Sequence, residues 1–125
     1  MKNALAVGLG GFLGALARYF TGIFVLRFIG GTAFPYATLL VNVSGCFLIG
    51  FLSGLSENVA PISPAMHLFV VVGLLGGFTT YSAFGYQTVD LAHQGRMAFA
   101  VLNVSAHLLL GLGAVFLGEL LAKQF

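Results

Sequence analysis

Charge is what this chain has least of: five Lys+Arg and three Asp+Glu among 125 residues, or 6%, where an ordinary soluble domain carries about 25%. Tryptophan is absent, cysteine occurs once and proline three times. A chain this small with 59% hydrophobic residues lacks the polar surface needed to cover a water-soluble core. Disorder is excluded too, because it requires low hydrophobicity and high net charge. A lone Cys46 excludes an intramolecular disulfide, and its place within an apolar run suits a small packing residue. The net charge of +2 comes without a basic cluster, which leaves no surface for nucleic acid. Lipid must be the main solvent.

The few charges delimit long uncharged windows. Lys2 and Arg18 enclose 15 residues, Arg27 and Glu57 enclose 29, Glu57 and Asp90 enclose 32, and Arg96 and Glu119 enclose 22. About 20 apolar residues cross a bilayer as a helix. The pattern predicts one transmembrane domain over 1–125, with four helices near 4–26, 36–56, 66–90 and 97–121. A cleaved signal peptide would need a small-residue cleavage site that the first run does not show. Gly30-Gly31 with Pro35, the stretch from Asn58 to Pro64, and His93-Gln94-Gly95-Arg96 supply the connections. None has room for a soluble domain, so activity belongs within the helices.

Four spans place Lys2 and Lys123 on one side and Arg27 and Arg96 on the other. Orientation follows the Lys/Arg bias, and here there is none. Either the chain inserts both ways, which allows an antiparallel dimer, or Arg18 and the details of insertion fix one orientation. Gly10/Gly14, Gly50/Gly54 and Gly73/Gly77 are small-xxx-small pairs, the spacing that lets helix backbones approach in lipid. The run Gly8-Leu9-Gly10-Gly11 is no dinucleotide motif, because Leu13 holds the third glycine position.

Polar residues within spans mark either interhelical hydrogen bonds or a lined conduit. Thr38 and Asn42 share one face of the second helix; Asn103, His107 and Gly111 share one face of the fourth. Asn-Val-Ser-x-x-x-Leu-x-Gly occurs at 42–50 and again at 103–111, an old duplication or a coincidence of a narrow alphabet. Both Asn-x-Ser triplets lie too deep to be glycosylated. In the third span, Gly76-Gly77-Phe78-Thr79-Thr80-Tyr81-Ser82-Ala83-Phe84 is poor helix-interior material and predicts a break near mid-bilayer. A break there frees carbonyls able to hold a hard monovalent cation. Beyond it Tyr81 and Phe84, three apart, put two rings on one side, and ring edges are electropositive. Arg18 either snorkels to the interface or sits in a vestibule and attracts anions.

These residues resemble the CrcB/Fluc fluoride channels over nearly the whole chain. Gly10-Gly11-Phe12-Leu13-Gly14-Ala15-Leu16-Ala17-Arg18-Tyr19 is similar to that family's opening motif. Thr38-Leu39-Leu40-Val41-Asn42-Val43-Ser44-Gly45 and the 76–84 segment are similar to its second and third signatures. The resemblance implies a dual-topology antiparallel homodimer of four-helix subunits in the bacterial inner membrane, with two fluoride pathways. It implies a structural, untransported sodium ion on the backbone carbonyls of Gly76 and Thr79. It places Asn42, Tyr81, Ser82 and Phe84 on the pathway with Thr38, Asn103 and His107, and Arg18 near the aqueous entrance. Tyr81 stands where the family has Phe, and Ala83 where it has Thr.

The implied function is passive. Hydrogen fluoride enters neutral and dissociates in the less acidic cytoplasm, and a pore lets the anion leave without energy coupling. The principal alternative is a small dual-topology proton-coupled multidrug exporter, which needs a titratable group in the membrane. The first helix has no Asp or Glu, and Asp90 and Glu119 fall near helix ends. An enzyme would need a Ser, His and Asp constellation, and no spacing supports one.

Overall fold

A computed structural model describes residues 1–58 and 61–125 and is all-helical. Helix α1 runs Lys2–Ile29 and α2 Tyr36–Asn58. Helix α3 covers residues 64–78, α4 is Tyr81–His93 and α5 is Met97–Ala122. Four stretches are long and apolar enough to cross a membrane: Lys2–Ile29, Tyr36–Glu57, Pro64–His93 and Met97–Ala122. The third consists of α3 and α4 joined by two extended residues. Residues 59–60 of the expected second connection lie outside the described residues.

Local chemistry sets the ends. Gly30 stops α1 at φ 79°, a left-handed geometry that favours glycine, while its N–H reaches the Leu26 carbonyl at 3.0 Å. Ser63 caps α3 by accepting from the Met66 N–H, with Pro64 at the first helical position. Gly95, at φ 74°, turns the chain from α4 into α5. Within α3 the segment His67–Leu75 is π-helical, and beyond it the Gly76 N–H still reaches back to the Val71 carbonyl. Val70, Val71 and Val72, β-branched in succession, and Gly73 after them are weak α-formers in this stretch.

Two backbone seams hold the bundle, both between parallel helices. On α1 against α3, a Cβ at Gly14 would run into the Leu74 carbonyl, and one at Gly77 into the Gly11 backbone. On α2 against α5, Gly50 meets the Val115 backbone and Gly118 that of Phe47 and Phe51. The paired glycines read from the sequence therefore lie where helices touch backbone to backbone, as association in lipid requires. Val41, 2% exposed, and Asn103, 0% exposed, are the largest fully enclosed side chains. Phe34 is buried in the first connection with its ring edge-on to Phe99, closing that end of the bundle. Most other large apolar side chains point outward, a distribution suited to lipid.

Gly14→Val should destabilise the chain by about 3 kcal/mol or prevent folding. Gly8→Ala, where the added Cβ meets nothing within 4 Å, should hold or gain up to about 1 kcal/mol from helix propensity. Thermal unfolding in detergent, followed by circular dichroism and size exclusion, checks both.

Candidate functional site

The site begins where the third span stops being a helix. Thr79 (φ −76°, ψ 158°) and Thr80 (φ −150°, ψ 112°) are extended, so the break falls on the two threonines just past the glycine pair. A helix interrupted inside a bilayer must satisfy its freed amides elsewhere. The Asn42 side chain does this from α2: its Oδ1 accepts the Thr80 N–H at 2.8 Å and its Nδ2 donates to the Thr80 carbonyl at 3.0 Å. One carboxamide thus pairs with one residue's backbone in both directions, as a neighbouring strand would. Thr80 then caps α4, its Oγ1 accepting from the Ala83 N–H at 3.3 Å. Gly45 makes room for the break, since a Cβ there would collide with the Thr79 methyl group.

The Thr80 N–H would have bonded the Gly76 carbonyl in a continuous α-helix; given to Asn42, it leaves that carbonyl without its helical partner. The Thr79 carbonyl accepts from Arg18 Nη1 at 3.3 Å. Arg18, half-buried, therefore bridges α1 to the break. Backbone carbonyls suit a sodium ion, and the Gly76 oxygen fits that use directly. The Thr79 oxygen fits with one of its two lone pairs, the other facing the guanidinium.

Beside the break lies a crevice of about 440 Å³ between α2, α3, α4 and α5. Asn42, Gly76, Thr79, Tyr81, Phe84 and His107 all line it, together with Cys46. The Tyr81 and Phe84 ring centroids are 5.6 Å apart, and Phe84 lies 4.4 Å from the His107 ring. Tyr81 is 84% exposed, so its hydroxyl projects outward from the chain. Four of the sequence-derived residues stand apart from this lining. Thr38 is buried on α2. Ser82 is exposed, with its hydroxyl 3.4 Å from that of Thr80. Arg18 lies on the far side of Thr79, and Asn103 is enclosed between α4 and α5, with its Nδ2 3 Å or less (2.8 Å) from Thr88 Oγ1.

The Thr88 hydroxyl fixes how the Asn103 carboxamide is turned. Thr88 gives its proton to the Phe84 carbonyl at 2.7 Å, so toward Asn103 it can only accept. That fixes the Asn103 amide and leaves its Oδ1 buried without a partner. Asn103 therefore donates to α4 through its Nδ2 and carries an unpaired acceptor on its Oδ1. Gln87 Oε1 is likewise buried and unpaired. Gln87 escaped the sequence reading, although it is the one carboxamide among residues 81–93 and follows Tyr81 and Phe84 at helical spacing. It lines a separate polar hollow of about 400 Å³ with Thr32, Asp90, Gln94 and Arg96, where Gln94 Nε2 donates to Asp90 Oδ2 at 2.8 Å.

Asn42→Leu removes both bonds to Thr80 and strands a buried N–H and carbonyl. It should cost about 2–4 kcal/mol, read as a lower unfolding midpoint in detergent, whereas Asn42→Gln should recover little because its longer stem shifts the amide.

The geometry can now be set beside known proteins. Residues 5–119 match the family model described as CrcB-like protein, Camphor Resistance (CrcB). A fluoride-specific ion channel FluC of Ruminiclostridium cellulolyticum is 43% identical over 123 residues, covering 98% of this chain and 94% of the relative. Proteins of the same name from Rhodospirillum centenum and Chlorobaculum tepidum are 44% and 46% identical, each over 98% of this chain and over 97% and 96% of the relative. Their shared name is that of an ion channel, and this chain is accordingly no enzyme. It is a multi-pass bacterial membrane protein that belongs to the CrcB-like family.

Proposed function

We propose that this chain is a fluoride-specific channel that lowers cytoplasmic fluoride by passive export. The relatives' name supports the ion; the observation that carries the reading is the mid-span crevice at which the Tyr81 and Phe84 rings meet an Asn42-held break. Fluoride is small and tightly hydrated, so a greasy pore rejects it. Ring edges carry partial positive charge and can take over part of its hydration without trapping it. The crevice lining holds no carboxylate, the group a proton-coupled multidrug exporter would use to trade protons for cations.

The working unit in this reading is an antiparallel homodimer of dual-topology subunits. Two features support it. Gly76 and Tyr81 are exposed in one subunit at mid-span, where a second copy would cover them. Outside the spans the basic residues are split two and two, Lys2 and Lys123 against Arg27 and Arg96, which gives insertion no preferred direction. The Gly76 and Thr79 carbonyls would hold a structural sodium ion at the two-fold. Two carbonyl oxygens are too few to enclose a sodium ion, so a second copy would complete the shell. A cation there would be favoured by the carbonyl end of α3 in each subunit. Arg18 would stand beside it as a second cation on the Thr79 oxygen. Asn42, Tyr81, Phe84 and His107 would form the anion route, with Thr38, Ser82 and Asn103 supporting its walls.

Purified protein in liposomes should release fluoride, read with an ion-selective electrode, and no chloride; passage of both halides, or of neither, overturns the reading. Phe84→Ile, with folding preserved, should slow fluoride release at least about tenfold by removing one ring edge. Replacing sodium with N-methylglucamine should lower dimer stability in detergent, and an unchanged dimer would remove the ion from the site.

A further inference from the structure

His107 lines the crevice with a ring nitrogen that a single proton converts from acceptor to donor. Its Nδ1 lies 2.9 Å from the Asn103 backbone carbonyl. A carbonyl only accepts, so Nδ1 must carry a hydrogen. In the neutral ring that leaves Nε2 with a bare lone pair, and Nε2 is buried without a partner. An anion at that nitrogen would face a lone pair and be repelled. Protonation turns the same atom into a buried N–H that lacks an acceptor, a costly state that an anion relieves.

We propose that His107 is a proton-controlled fluoride site: the imidazolium donates Nε2–H to the anion, and the neutral ring turns it away. This rests on the fluoride-channel reading above and adds a condition to it. The groups that could disturb the titration are few. The α2 wall presents the Cys46 thiol and the α4 wall the Tyr81 phenol; the α3 wall presents no titratable side chain, and no Asp, Glu, Lys or Arg lines the crevice. Acidification, which also drives hydrogen fluoride into a cell, is the change that would load that nitrogen with its proton. Fluoride entry and exit capacity would then rise together.

The chain has three histidines, and His67 and His93 are exposed, which supplies internal controls. Protein labelled with ¹⁵N-histidine, carrying no histidine tag, would be titrated by NMR in sodium fluoride and in sodium chloride. The neutral His107 ring should show the Nδ1–H tautomer. Fluoride should move its titration upward, by about one pH unit per tenfold preference of the anion for the protonated form, while His67 and His93 stay put. Equal titrations in the two salts, or an Nε2–H neutral tautomer, overturn the proposal. Liposome efflux should rise several-fold from about pH 8 to 6 after subtraction of protein-free vesicles, and His107→Gln, which offers a permanent N–H, should be flat. Fluoride flux without pH dependence in the native chain sinks the His107 site alone; no flux at any pH from a folded dimer sinks the channel reading itself.

Discussion

An amide without a partner in hydrocarbon costs several kcal/mol, and the third span of this chain leaves its helix for two residues halfway along its length. The Asn42 carboxamide, bonded in both directions to the Thr80 backbone, makes that interruption tolerable. The consequences follow outward from this pair. With the Thr80 N–H engaged, the Gly76 carbonyl is released. With Thr80 extended, its hydroxyl is free to cap α4. That cap sets where α4 begins and so where Tyr81 and Phe84 project. Asn42 is placed in turn by α2, which the glycine seam locks against α5. A packing feature at the periphery of the site thus fixes the geometry at its centre.

The repeated Asn-Val-Ser segments acquire a physical sense in this frame. Asn42 and Asn103 sit on parallel helices, and each reaches the same broken span, at Thr80 and at Thr88. The serines two residues on do the same job twice, Ser44 bonding the Leu40 carbonyl and Ser105 the Val101 carbonyl. Serine hydroxyls that bond back into their own helix are hidden from lipid. Each segment therefore puts one amide across the interface and keeps its other polar group satisfied at home, whatever its origin.

Much of this was legible in the residues. Charge-free windows gave the spans, because bilayer thickness is a stronger constraint than any local propensity. Gly10, Gly14, Gly50, Gly73 and Gly77 marked the seams because only a missing Cβ lets backbones touch. Gly-Gly-x-Thr-Thr announced a break, although its position on Thr79 and Thr80 depends on where Asn42 arrives from α2. The π-helical His67–Leu75 was not legible: its apolar run reads equally well as α, and its winding is settled partly against α1. The bond that Arg18 makes, and Gln87 altogether, escaped the sequence for a related reason. The partner of Arg18 is a backbone carbonyl 61 residues away, and composition carries no trace of such a bond.

The break also sorts charge preference over a very short distance. Residues 76–79 end one half-helix and expose its carbonyl, negative pole; Tyr81 begins the next with its N–H, positive pole. Cation-favouring oxygens and anion-favouring groups are therefore neighbours along the chain while facing different partners. Arg18 adds a fixed positive charge on the carbonyl side. On the other side the ring edges of Tyr81 and Phe84 offer positive potential without a permanent cation. A permanent cation there would hold a small anion too tightly to let it pass, since conduction needs sites that bind weakly enough to release. Interrupting a helix, and stabilising the interruption with an amide in place of a charge, yields that combination with a single buried carboxamide.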